Sequence, residues 1–131
     1  MPIEHIHLSQ QAKDQLVKIK RGTGIQNWNT LCRWAFCLSL SESGVPTPTK
    51  IPADSSVEMS WKVFGGPNPD IYLALLKERC RRDQLGTTDE VLSAQFRLHL
   101  HRGIGYLAAD KDLKSIQGLL KSLPLKQKFE R

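Results

Sequence analysis

Residues 9–40 read SQQAKDQLVKIKRGTGIQNWNTLCRWAFCLSL, and this stretch decides the fold. Ser9 is a good N-cap for a helix over about Gln10 to Lys20, because its hydroxyl can accept from a backbone N–H that the first turn leaves unpaired. Ala12, Leu16 and Ile19 recur at steps of four and three and form one apolar stripe. Lys13, Lys18, Lys20 and Arg21 fall mostly off it. Gly22-Thr23-Gly24 must be a turn, since glycine reaches positive φ at little steric cost. A second helix is expected from about Asn27 to Leu40. Trp28, Leu31, Cys32, Ala35, Phe36, Leu38 and Leu40 make it apolar around much of its girth. Such a helix is buried on more than one side, which in a short chain suggests an oligomer contact as well as a core.

Moving outward, Ile3 to Leu8 alternates and predicts a short strand, with Ile6 and Leu8 on one face. After the second helix, Ser41 to Ser56 reads as a loop, broken by Pro46, Pro48 and Pro52. Val57 to Phe64 alternates again, and a second strand is expected there. Asn68 and Pro69 open a third helix with the stripe Ile71, Tyr72, Leu75, Leu76 and Cys80. Its basic end, Lys77, Arg79, Arg81 and Arg82, suits the negative pole of a helix dipole, and Gly86 closes it. Thr87 and Glu90 form a capping box for a fourth helix reaching about Ala108. Gly103 and Gly105 mark a kink or a close approach within it. A last helix is expected over Asp112 to Leu123, then a frayed tail from Pro124 to Arg131. The expected architecture is mainly α: a short N-terminal strand, a helix-turn-helix resembling a ribbon–helix–helix, one further short strand and a C-terminal helical bundle. One domain is expected over residues 1–131.

Nineteen Lys and Arg against thirteen Asp and Glu leave a net charge of +6 and a pI near 9.4. Such a field attracts polyanions. The surplus is spread: residues 1–43 carry five basic and three acidic side chains, and residues 77–102 carry six and four. Three cysteines without paired spacing do not make a disulfide framework. The opening residues lack a basic start and an apolar signal core, and no apolar run approaches a membrane span. A soluble protein of the reducing cytoplasm is the expectation.

The order strand, helix, turn, helix matches ribbon–helix–helix DNA-binding proteins, in which two chains pair their strands in the major groove. The ribbon here offers Glu4, His5 and His7, weaker readers of base edges than Arg or Asn. Phosphate contact by helices needs no base edge. His5 and His7 share a strand face, whereas His99 and His101 lie about 200° apart on a helix. No zinc spacing supports either pair, and no metal site or cofactor is expected. Cys80, between Arg79 and Arg81, and Cys32 are the candidates for a sulfur-carrying thiol, an arrangement that would lower a thiol pKa if exposed. Buried structural cysteine is the commoner role. No P-loop, nucleophile elbow or His-Glu-x-x-His motif is present.

The run Gly24-Ile25-Gln26-Asn27-Trp28-Asn29-Thr30-Leu31-Cys32-Arg33-Trp34-Ala35-Phe36 resembles the DndE family of DNA sulfur-modification proteins. Trp61-Lys62-Val63-Phe64-Gly65-Gly66 and the segment Phe96 to Gly105 resemble it too, and the likeness extends to about residue 123. The resemblance implies a small accessory protein without catalytic residues of its own. Its system replaces a non-bridging phosphate oxygen of DNA with sulfur. The chemistry there belongs to a cysteine desulfurase, an iron–sulfur protein and an ATPase. The small member is expected to bind duplex DNA, notably at nicks, as a homotetramer. On this reading Lys13, Lys18, Lys20, Arg21 and Arg33 meet phosphates, and Gly22, Gly24, Trp28, Leu31 and Ala35 lie at oligomer contacts. Two alternatives stand beside it: a ribbon–helix–helix repressor, and a sulfur-relay enzyme using Cys80 or Cys32.

Overall fold

The first strand finds its partner within its own chain. In the computed structural model, which describes residues 3–109, β1 (His5–His7) pairs antiparallel with β2 (Glu58–Ser60). Ile6 sits opposite Met59, and both are buried. Trp61 N–H donates to the Glu4 carbonyl at 3.0 Å, and Leu8 N–H to that of Val57 at 3.1 Å. In a ribbon–helix–helix dimer the strand pairs with a second copy. Here those hydrogen bonds are closed within the chain.

Ser9 caps α1 (Gln10–Thr23) as its sequence predicts, its Oγ accepting from Ala12 N–H at 3.0 Å. The helix runs three residues further than expected. Thr23 Oγ1 donates to the Ile19 carbonyl at 2.8 Å, so Gly22 lies in the last turn rather than in a loop. Gly24 alone turns the chain, at φ +76°, and its N–H donates to the Lys20 carbonyl at 2.9 Å. A left-handed cap of this kind favours glycine.

The centre of the fold is α2 (Trp28–Ser41) packed along α5 (Asp89–Ala109). A Cβ on Gly103 would meet the Ala35 carbonyl oxygen at 1.7 Å, so the two backbones touch where only glycine fits. Around this contact Phe36, Phe64, Phe96 and Trp61 form an aromatic cluster, with centroids 5.1 Å apart for four of its pairs. Edge-on and tilted pairs of this kind contribute about 0.5–1.5 kcal/mol each beyond their buried area.

The expected strand over Val57 to Phe64 is half right. It stops at Ser60, whose Oγ accepts from Val63 N–H at 3.1 Å and starts the short α3 (Trp61–Gly65). Val57, Met59 and Trp61 are buried as the alternation predicts, but the helical turn that begins at Trp61 leaves Val63 half exposed. In α4 (Pro69–Arg82) the buried stripe is narrower than predicted: Leu76 and Cys80 are buried, while Ile71 and Leu75 face solvent. Helix α5 is capped one residue later than the expected box, by Thr88, whose Oγ1 accepts from Val91 N–H at 3.2 Å. The expected helix Asp112–Leu123 and the tail lie outside the described residues.

Between α2 and β2, residues 42–57 form an extended strap without helix or ladder. It is held by guanidinium groups. Arg79 and Arg102 both donate to the Gly44 carbonyl, at 2.7 and 2.8 Å, and Arg97 donates to Ile51 at 3.0 Å and to Pro52.

Candidate nucleic-acid interface

Helix α1 has two faces because its apolar and basic residues keep different phases of the 3.6-residue period. Ala12, Leu16, Ile19 and Thr23 are buried, and Lys18 and Arg21 point the other way and are exposed. Lys13 and Lys20, seven residues apart, border the core and are half-buried. Lys13 Nζ donates to Ser56 Oγ at 2.7 Å, and Lys20 Nζ stands 4.1 Å from the centroid of Trp28. A cation over an indole face keeps its charge while its stem packs on the ring. Among the described residues, none of these four cations has a carboxylate within ion-pairing distance.

Arg33, the fifth predicted contact, stands apart from the α1 set. Its Nη1 donates to the Phe64 carbonyl at 2.9 Å and its Nη2 reaches Thr30 Oγ1 at 3.4 Å. It ties α2 to the end of α3 and stays half-buried beside Gly66. The structure therefore brings four of the five predicted cations together on α1 and gives the fifth a structural task.

Of the predicted oligomer positions, Gly22 and Gly24 are exposed and Trp28 is half-buried under Lys20. Leu31 and Ala35 are different: both are fully buried in this chain's own core. The apolar girth of α2 is used largely by α5 and α3 within the chain. A second copy can reach Gly22, Gly24 and Trp28, but not Leu31 or Ala35.

The cysteines lie in surroundings that suppress a thiolate. Burial pushes Cys32 up to about 12, against the weak pull of Arg33. Cys37 rises for the same reason. Cys80 also rises, because burial and the Asp83 carboxylate outweigh Arg79. The guanidinium expected to activate it is engaged with Asp83 at 2.8 Å. Only a thiolate attacks sulfur or carbon readily. Among the described residues, no group of three or more His, Cys, Asp and Glu is placed to hold a metal, and no helix is long and apolar enough to cross a membrane.

By sequence Arg79, Arg97 and Arg102 count in the basic surplus, and the structure engages their guanidinium groups in hydrogen bonds within the chain. Arg102 Nε donates to Ser39 Oγ and its Nη2 to the Ser39 carbonyl, both at 2.8 Å. The Ser39 hydroxyl is in turn hydrogen-bonded to His99 Nδ1 at 2.8 Å. Burial, reinforced by Arg79 and Arg102, pushes His99 down to about 4. His101 is also lowered by burial. Its Nδ1 donates to the Arg97 carbonyl at 2.9 Å, and its Nε2 accepts from Ser9 N–H at 3.2 Å. Nothing in the sequence marks the arginine roles, since the carbonyls these side chains hold lie 35 to 90 positions away in the chain.

Fold and site together define a small, mainly helical, basic protein with a two-stranded sheet and, among the described residues, four cations without carboxylate partners on its first helix. Residues 5–115 match the family described as DNA sulphur modification protein DndE. The chain belongs to the DndE family, and its role lies in DNA phosphorothioation. The fold is similar to the crystal structure of DndE from Escherichia coli B7A, at a TM-score of 0.66 and 24% identity, over 79% of this chain and 95% of that one. It is also similar to a DndE mutant in which two glycines are replaced by lysine, at a TM-score of 0.61, 24% identity and the same coverage. A comparison with curated proteins finds no significant relative.

Proposed function

We propose that this chain is a DNA-binding accessory subunit of the phosphorothioation system that acts as an oligomer in the cytoplasm and leaves the sulfur chemistry to its partner proteins. One observation carries the reading: in a member of a DNA-modification family, Lys13, Lys18, Lys20 and Arg21 stand on one helix without carboxylate partners among the described residues. Lys18 and Arg21 are the primary phosphate contacts, because their side chains are exposed and uncommitted. Lys13 and Lys20 contribute field at shorter reach, and Arg33 contributes least. The exposed turn at Gly22 and Gly24, with Trp28 beside it, is the surface assigned to a second copy, expected to build a homotetramer. Assembly repeats the α1 face and multiplies a modest charge per subunit.

Fluorescence anisotropy of the full chain on intact and nicked duplex, across a salt series, tests this. Affinity should fall with salt at a log–log slope of about −0.9 per neutralised phosphate. The double variant Lys18→Ala, Arg21→Ala should lower that slope by roughly two contacts' worth. Nicked duplex should bind more tightly than intact duplex. A flat salt response, or an unchanged slope in the double variant, removes the reading. The thiol environments argue against a sulfur relay, and modification should persist when Cys32, Cys37 and Cys80 are replaced by alanine in a folded variant.

A further inference from the structure

A cleft of about 550 Å³ opens on the side of the molecule where the start of α1, the strap and the end of α5 meet. Its volume lies in the range of small-molecule sites, roughly 300–1,000 Å³. The walls are fixed before any ligand arrives. His101 holds the Ser9 amide, Asp54 Oδ1 accepts from Gln10 N–H at 2.8 Å, and Arg97 and Arg102 hold the strap by its carbonyls.

Gly105 lies inside α5 and on the cleft lining, and a Cβ added there would meet nothing within 4 Å. Glycine inside a helix is less favourable than alanine by about 1 kcal/mol, so its presence at position 105 favours a use for the space a side chain would fill. Two residues earlier, Gly103 is required by the Ala35 carbonyl. At Gly105 no part of the described chain makes that demand, and the empty space is the cleft itself.

The groups around Gly105 indicate what would approach. Tyr106 follows it with its ring partly exposed, and the Arg102 guanidinium carbon lies 5.8 Å from the ring centroid. Each Arg102 nitrogen already donates one hydrogen bond, so the guanidinium offers the cleft chiefly its flat face. Gln11 and Gln15 make no hydrogen bond among the described residues, and each presents a donor and an acceptor. Lys50 is exposed and without a carboxylate partner there. The carboxylate on the lining, Asp54, has one oxygen already committed to α1.

An aromatic face, amides able to read a heterocycle's edge and one free cation form a complementary set for a base joined to a phosphate. We infer that the cleft binds a single nucleotide, its base over Gly105 against Tyr106 and its phosphate at Lys50. The nucleotide can be free or can be an unstacked unit of a DNA strand, since both offer the same base and phosphate.

This inference does not rest on the α1 face, and the two separate experimentally. Deoxyadenosine 5′-monophosphate, and in a second arm a short single-stranded oligonucleotide, are titrated into the ¹⁵N-labelled full chain. Amide shifts are expected at Gly105, Tyr106 and Gln15. Binding in the first arm identifies a free-nucleotide site, and binding in the second alone identifies a site for a strand. Gly105→Leu fills the cleft on a helix-compatible side chain and should abolish the shifts. Gly105→Ala should raise the melting temperature while weakening binding less. Tyr106→Ala should weaken binding by about tenfold, the scale of one base–aromatic stack. Lys18→Ala, Arg21→Ala should leave these shifts in place. No saturable shift in either arm overturns the inference. So does nucleotide binding that survives Gly105→Leu in the folded variant. If Gly105→Leu instead blocks association with another modification protein while no nucleotide binds, the cleft is a protein-docking site and the inference fails.

Discussion

Two sets of basic side chains in this molecule look alike in composition and differ in use. Lys18 and Arg21 on α1 are exposed with no carboxylate partner among the described residues, whereas Arg79 and Arg102 have every guanidinium edge engaged and Arg97 donates to three carbonyls. The first set can shed counterions onto a polyanion. The second set is a scaffold, supplying the hydrogen bonds that the strap cannot make with itself. Buried carbonyls need donors, and guanidinium provides several in a planar fork. Net charge therefore overstates the field available for DNA, because part of it already serves the fold.

The sharpest way to break this contrast is at Arg79. Its side chain and that of Asp83 are 4% and 7% exposed. Arg79→Ala leaves a buried carboxylate and the Leu40 carbonyl without their donor, while Gly44 keeps Arg102, and should cost about 3–5 kcal/mol in chemical denaturation. A loss below 1 kcal/mol would place Arg79 with the surface set.

Acid should reach the scaffold next. His99 has an ordinary value of 6.5 and is held near 4 when folded. The unfolded chain thus binds its proton first, and stability falls as pH drops from about 6.5 to about 4. The accumulated loss is about 3 kcal/mol, and above pH 6.5 it vanishes. His99→Asn should flatten this part of the urea-denaturation profile relative to wild type. Parallel profiles would mean that carboxylates carry the whole acid response.

The two glycines of α5 sharpen the same comparison. Gly103→Ala drives a Cβ into the Ala35 carbonyl and should destabilise by roughly 1–3 kcal/mol or more. Gly105→Ala should stabilise by about 1 kcal/mol. Equal melting temperatures for the two variants would contradict the α2–α5 packing. The smallest stability effect belongs to Lys18→Ala, Arg21→Ala, within about 0.5 kcal/mol per site, although the same variant carries the largest expected change in DNA affinity.

Local rules made much of the fold legible. Ser9, Asn27, Asn68 with Pro69, and the stripe Ala12, Leu16, Ile19 place three helices to within a few residues. The misses share a cause. Val57 to Phe64 carries an alternation that a strand and a capped turn satisfy equally, and Ser60 decided between them by its hydrogen bond. Thr87 and Thr88 are both competent caps, and only geometry selects the second. Ile71 and Leu75 extend an apolar stripe that no described neighbour covers. Of the candidate site, the α1 cations could be read from spacing, but Arg33 could not, since its acceptor on Phe64 lies 31 residues away.

By itself the sequence determined the helical periods, the basic face of α1, the Gly24 turn and the runs that resemble DndE, because each depends on residues a few positions apart. Tertiary structure alone decided that β1 pairs with β2 rather than with a second copy, and that Leu31 and Ala35 belong to this chain's core. It also decided which arginines hold the strap and which cations remain free, and it formed the cleft above Gly105. A side chain's charge is local, but whether that charge is available depends on acceptors brought close by folding.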